Sequence, residues 1–259
     1  MNSTTGLSKM SGPIAIIAAL RDELKDFSES LAPQKVLFER PTTIIETSFE
    51  DQELLLVRTG IGYDNVFKSL SLLFEKYDPS LLISTGYAGA TDPRLVPGDL
   101  VIGTEVLVLN PDALSVASST KPLLKKAQAI LEQKGWPHHF GPLLTVDRPV
   151  VEPHEKAFLG TRSGAIALDM ESAEVGRWAV KKKKPFLAVR AILDPVSLPL
   201  PDWEQFLGPD QNLIPAKIFR FALKNPLQLI QLPRFQKLAT MARTSIARFL
   251  IAYLQERPI

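Results

Sequence analysis

The chain has 259 residues, 45% hydrophobic and 22% charged, with a net charge of +2. This is the profile of a globular protein with a sizeable core, and its bulk charge does not point to nucleic acid as a partner. The absence of cysteine excludes disulfides and thiolate chemistry and fits a reducing, cytoplasmic setting. Residues 1–12 lack the basic and apolar regions of a signal peptide, and no run of about 18 apolar residues is present to span a membrane.

In chain order, Pro13–Ala19 reads as a buried strand and Leu20–Leu31 as a helix ending before Pro33. Thr42–Phe49 and Leu54–Arg58 are β-rich runs around a polar turn, a hairpin. Asp64 is placed to N-cap a helix to Tyr77, with Val66, Leu70 and Leu73 on one face, stopped by Pro79. Leu81–Thr85 is a buried strand running into a small-residue loop, Gly86-Tyr87-Ala88-Gly89-Ala90. A Val/Ile/Leu-rich strand over 99–109, a helix over Pro122–Lys134, a strand at Leu143–Val146 and a short helix at Glu155–Thr161 follow. Glu171–Lys183 is a helix whose terminal lysines suit its negative end, and Phe186–Ile192 is the last strand. The alternation predicts an α/β three-layer sandwich with a mixed central sheet over residues 13–204. Residues 205–259 form a chemically different tail, with eight Lys/Arg against two acids.

Three carboxylates each follow an apolar run: Glu23 after Ile14–Leu20, Glu171 after Ala165–Leu168, and Asp194 after Phe186–Ile192. Strand ends in open α/β sheets gather at one edge, where ligands bind, so these acids are placed to converge. Such a pocket suits acid/base cleavage of a polar bond. Each feature also has a plain structural reading. Gly60-Ile61-Gly62 is a tight turn or a place where backbone approaches a ligand. The acids around Met170 are either an acid-enriched helix start or a site. Asp194-Pro195 is a turn start or a carboxylate held in extended backbone. His138, His139 and His154 have no ligand spacing, so surface or loop positions are expected for them and no metal or cofactor is expected.

The segments PIAIIAALRDEL, VRTGIGYDNV, LLISTGYAGATDPRLVPGDLVIGTEV, AIALDMESAEV and FLAVRAILDP, in this order, resemble the purine nucleoside phosphorylase superfamily. They are most similar to its methylthioadenosine/S-adenosylhomocysteine nucleosidase branch. LLTVDRPVVEPHEK, the ALDMES block, DPVSLPLP and the tail resemble the hopanoid-associated phosphorylases. The resemblance implies release of adenine from an adenine nucleoside, with adenosylhopane, a lipid nucleoside, as the substrate, and a homodimeric enzyme.

By the same resemblance, Glu23 orients and deprotonates water, Met170 and Glu171 hold the ribose, and Asp194 protonates the purine at N7. Gly86, Tyr87, Ala88 and Gly89 line the base and ribose pocket, and Val150 falls in the adenine-contacting stretch. Three departures favour water over phosphate: Tyr87 stands where a serine is usual, Ser84 where many phosphorylases have a phosphate-binding arginine, and the third lies after the first strand. The glycine-rich phosphate loop after the first strand is replaced by Ala19-Leu20-Arg21-Asp22-Glu23. The tail carries apolar residues at helical spacing, among them Ile214, Phe235, Ile246, Phe249 and Leu250, with prolines 226 and 233 breaking it into separate helices. Two roles follow from this pattern: packing on the domain, or lying against an anionic membrane.

Overall fold

Apolar residues on both faces of β1 (Ile14–Ala18) set the architecture, because a strand buried on both sides must be covered by two layers. The computed structural model describes residues 12–32, 35–38, 42–198 and 232–256. The further strands are β2 (Lys35–Phe38), β3 (Thr43–Phe49), β4 (Gln52–Arg58), β5 (Leu81–Ala90), β6 (Leu100–Asn110), β7 (Asp112–Ser118), β8 (His138–Thr145), β9 (Ala167–Asp169) and β10 (Phe186–Asp194). The helices are α1 (Lys25–Ser28), α2 (Tyr63–Lys76), α3 (Lys121–Lys134), α4 (Pro153–Ser163), α5 (Ser172–Lys182) and α6 (Leu232–Gln255).

The strands form one mixed sheet in the order β10-β6-β8-β9-β5-β1-β4-β3-β2, with β7 on β6 and β10 also paired to β5. The last pairing closes β5, β9, β8, β6 and β10 into a ring, while β1, β4, β3 and β2 extend as an open sheet. Ala15, Ile17, Leu55 and Val57 pack with Val66, Leu70 and Leu73 of α2 and Val175, Trp178 and Ala179 of α5. On the opposite face Ile16, Ala18, Leu54 and Leu56 pack with Phe27, with Leu123, Ile130 and Leu131 of α3, and with Ile246, Phe249 and Leu250 of α6. This period-two division between helix layers is the expected three-layer sandwich.

Several local expectations are corrected. Residues 20–31 are not one helix: a 3-10 turn at Asp22–Leu24 and the one-turn α1 replace it. At this turn the Glu23 carboxylate points inward, accepting the Leu20 N–H and, from β5, the Tyr87 N–H. The N-cap of α2 is Gly62, at φ 86°, and Asp64 lies exposed in the first turn. Gly86–Ala90 is not a loop but the continuation of β5, paired with β9 and β10. β2 and β7 are strands that the hydrophobic pattern did not mark. His138 and His139 lie half-exposed in β8 and His154 is exposed, in keeping with surface positions.

Pro233 sits at the start of α6. Ala242, Ile246, Phe249, Leu250 and Tyr253 of that helix belong to the core, so its apolar face is occupied. The expected tail elements at 205–231, with Pro226, lie outside the described residues. No helix among the described residues is long and apolar enough to cross a membrane.

Candidate active site

Glu23 is 5% exposed. One carboxylate oxygen accepts the Leu20 N–H at 2.7 Å, and the other accepts the Tyr87 N–H at 2.8 Å. Burial pushes its pKa up, while the two N–H donors and the charge of Arg190 pull it back. Close approach is possible because β5 has no side chain at Gly86, where φ is +148°. A Cβ there would come within 2.5 Å of Glu23 Oε1 and 2.6 Å of Arg190 Nη1.

Arg190 stands beside Gly86 in the β5/β10 register and is 1% exposed. Its Nε donates to Asp169 Oδ2 at 2.7 Å, and its Nη2 donates to Ser172 Oγ at 2.8 Å and Ser84 Oγ at 3.0 Å. Asp169 in turn accepts the Thr145 hydroxyl at 2.6 Å and the N–H groups of Glu171 and Ser172, closing the start of α5. Asp169 thereby takes the structural alternative of the acid-methionine-acid segment.

Glu171 takes the other alternative. It is the N-cap of α5, keeps part of its surface open, and accepts the Gly62 N–H at 3.2 Å. The Gly60-Ile61-Gly62 turn thus brings backbone to an acid of the site. Burial pushes the Glu171 pKa up to about 8; Arg190 opposes the rise, and the charges of Asp169 and Glu23 add to it. Glu171 does not arrive as the end of a strand parallel to β1. β9 runs antiparallel to β5, pairing Ala167 with Ala90 and Leu168 with Gly89, so each later residue steps back toward Gly86. Met170 follows the same path and is half-buried.

Asp194 forms a second centre. A register shift between Ile192 and Asp194 in the β5/β10 pairing sets it opposite Gly89, whose Cβ would lie 3.1 Å from Asp194 Oδ2. It is 2% exposed and forms an ion pair with Lys156 of α4, which is wholly buried. Burial pushes the Asp194 pKa up to about 6, against the lowering effect of Lys156. Glu23 and Glu171 therefore meet around Arg190, and Asp194 meets Lys156, with Gly86 and Gly89 on one strand between them. At about 3.3 Å per residue the two glycines are roughly 10 Å apart.

The remaining candidates divide. Tyr87 serves Glu23 with its backbone, while its hydroxyl donates to Asp22 at 2.6 Å, 3.4 Å from the Ala239 carbonyl of α6. Ala88 places its methyl in the core. Val150 is buried in a small cluster with Leu107, Leu144, Ala165 and Leu168 beside β8 and β9. Among the described residues no group of three or more His, Asp or Glu is arranged to hold a metal.

Sequence reasoning did not single out Arg190 or Lys156. A signal existed for Arg190: one cation inside an otherwise apolar strand has to be paired when buried. Lys156 gave none, because lysines are ordinary on short helices.

Acids gathered along a small-residue strand, in a sheet of this topology, define a site suited to acid/base cleavage of a polar bond. The chain belongs to the Phosphorylase superfamily, whose family model matches residues 13–205. It is 25% identical over 210 residues to the 5′-methylthioadenosine/S-adenosylhomocysteine nucleosidase of Staphylococcus haemolyticus, covering 75% of this chain and 92% of that protein. It is 27% identical over 199 residues to the Staphylococcus aureus (strain MRSA252) nucleosidase of the same name, covering 70% and 86%. The fold matches the Neisseria meningitidis nucleosidase in complex with methylthio-immucillin-A, with a TM-score of 0.74 at 18% identity and coverage of 94% and 99%. It also matches native futalosine hydrolase of Helicobacter pylori, with a TM-score of 0.74 at 16% identity and coverage of 96% and 100%.

Proposed function

We propose that this protein is a cytoplasmic, cofactor-free purine nucleosidase that hydrolyses the N-glycosidic bond of an adenine nucleoside and releases adenine. The observation that carries the reading is the division of the site into two acidic centres along Gly86–Gly89. A nucleoside laid along this strand sets its sugar at Glu23 and Glu171 and its base at Asp194. The nucleosidase names of the relatives support the same substrate class.

Cleavage puts positive charge on the ribose and negative charge on the base. Glu171, with Met170 against the sugar, holds the ribose hydroxyls, and the carboxylates nearby stabilise the oxocarbenium-like transition state. Asp194 gives its proton to N7 as the C1′–N9 bond breaks and its electron pair goes to N9. Water adds to C1′ and passes a proton to Glu23, and solvent returns that proton to Asp194. Gly86, Tyr87, Ala88 and Gly89 supply the floor of the pocket, and Val150 an apolar side of the base site.

Water is favoured over phosphate because, among the described residues, the one arginine buried at the acids is already committed to them. Arg190 reaches Ser84, yet its charge is already shared among Asp169, Glu171 and Glu23. Arg21 is exposed. A dianion entering beside these carboxylates meets net repulsion.

The finer reading concerns the 5′ substituent. Motif resemblance points to adenosylhopane, hence to a hopanoid-related role, to a homodimer, and to peripheral contact with a membrane. The membrane contact in this reading is that of the basic tail, residues 205–259, although the apolar face of α6 is used in the core.

The test is chromatographic assay of adenine from 5′-methylthioadenosine and from an adenosine carrying a long 5′-alkyl group. Glu23→Gln should remove the activity, with no restoration by phosphate. Activity that requires phosphate and yields ribose 1-phosphate derivatives would establish the phosphorylase alternative instead. Light scattering should give twice the monomer mass; the monomer mass would refute the homodimer.

A further inference from the structure

Lys156 has no part in the reaction described above, yet it is the most thoroughly buried lysine of the described chain. It enters from the first turn of α4 and is 0% exposed. Its ammonium contacts Asp194 Oδ2 and donates to the carbonyls of Leu198 at 3.0 Å and Pro195 at 3.5 Å. The three protons of a charged lysine are thus all used, two of them on the segment that follows Asp194. Among the described residues, burial and Lys156 are what move the Asp194 pKa. The other carboxylate oxygen, Oδ1, has no protein donor among the described residues and is left for a ligand.

We propose that Lys156 is a positioning residue that makes Asp194 a stronger acid toward the purine, by neutralising the carboxylate left behind when the proton moves to N7. The inference rests on the nucleosidase reading of the site. In the step itself the Asp194 O–H bond breaks and the N7–H bond forms, while the C1′–N9 pair withdraws to N9. The base leaves neutral, and the charge created on Asp194 is met at once by the ammonium already in contact with it. A buried carboxylate without that partner would hold its proton too tightly to transfer it well. Because the lysine's three donors are occupied by protein, it does not contact the base, and Asp194 alone faces N7. The same contacts fasten Asp194–Leu198 to α4, so the acid is fixed in direction as well as in strength.

The sign of the pH effect follows. Asp194 must be protonated to act, so kcat/KM of the parent declines as pH rises past about 6. Removing the cation raises the proton affinity of Asp194. In Lys156→Met this decline should move up by about 1–3 pH units, while kcat on the low-pH plateau drops at least about 10-fold and KM changes little. Lys156→Arg keeps the charge and should keep the limb near its parental position with part of kcat restored.

The experiment is the pH–rate profile of adenine release for the parent and both variants, on protein shown to be folded by circular dichroism. A lower plateau with an unmoved limb in Lys156→Met would overturn the proposal and leave the lysine a packing element. If Lys156→Met does not fold, Lys156→Gln, which removes the charge but keeps a donor, decides: a limb displaced upward upholds the proposal, and an unmoved limb overturns it. A parent that releases no adenine from any adenine nucleoside refutes the nucleosidase reading, and the role of the lysine with it; an active parent confines any failure to Lys156.

Discussion

Gly86→Ala is the most informative perturbation of the site. The new Cβ would lie 2.5 Å from Glu23 Oε1 and 2.6 Å from Arg190 Nη1, at a φ of +148° that L-residues rarely adopt. The backbone strain costs about 1–3 kcal/mol. Neither neighbour yields easily: Glu23 is bonded to two backbone N–H groups, and Arg190 to Asp169, Ser84 and Ser172. Pushing Glu23 aside forfeits at least one charge-assisted bond of about 1.5–3 kcal/mol. The sum is roughly 2.5–6 kcal/mol, and for a chain of this size each kcal/mol lowers Tm by about 2–4 °C. A displacement near 1 Å at the water-orienting carboxylate should lower kcat by about 10²-fold. Gly89→Ala is the internal comparison. Its Cβ would meet Asp194 Oδ2 at 3.1 Å with no positive φ, so the Tm loss should be distinctly smaller. Calorimetry and initial rates of adenine release measure both effects. A Gly86→Ala enzyme with parental Tm and rate would refute the packing of Glu23 and Arg190 against bare backbone.

Asp194→Asn should retain nucleoside binding and lose at least about 10²-fold in turnover. It should also melt early, because it leaves the Lys156 ammonium buried without its counter-charge; calorimetry and equilibrium binding check both halves. Glu171 and Asp194 have pKa values raised above their unfolded values, so their contribution to stability is fully present below about pH 4 and is lost as pH rises through about 6 and 8. Tm of the parent should therefore fall between pH 5 and pH 9, with a shallower fall in Glu171→Gln. Arg243 of α6 donates to Asp22 at 2.8 Å and pairs with Asp26 at 2.6 Å, on the turn that carries Glu23. Arg243→Ala should lower kcat several-fold more than it changes KM, and an unchanged kcat would separate the C-terminal helix from the water-orienting carboxylate.

The layer order was legible because β1 and β4 are short continuous apolar runs and α2, α3 and α5 carry helical periodicity. The three acids were legible because each follows an apolar run. Their convergence was anticipated for a different reason from the one observed. A parallel-sheet edge explains Glu23, but Glu171 reaches the same point because the three-residue β9 runs back along β5, and a strand so short has no readable period. Gly86–Ala90 resembled a loop because its small residues carry turn propensity; the close approach of Glu23 and Arg190 is what demands them in a strand. The broken helix around Glu23 was hidden for a similar reason, since the carboxylate bond to the Tyr87 N–H is a tertiary contact that propensity does not register. Lys156 became visible only when α4 was packed, because nothing in VEPHEKAF marks one lysine as buried.

The most direct test of the account is hydrolysis of an adenine nucleoside in ¹⁸O-labelled water, with and without phosphate. The account predicts adenine and a free sugar carrying one ¹⁸O at C1′, at a rate indifferent to phosphate. A sugar 1-phosphate without the label, formed only when phosphate is present, would contradict it.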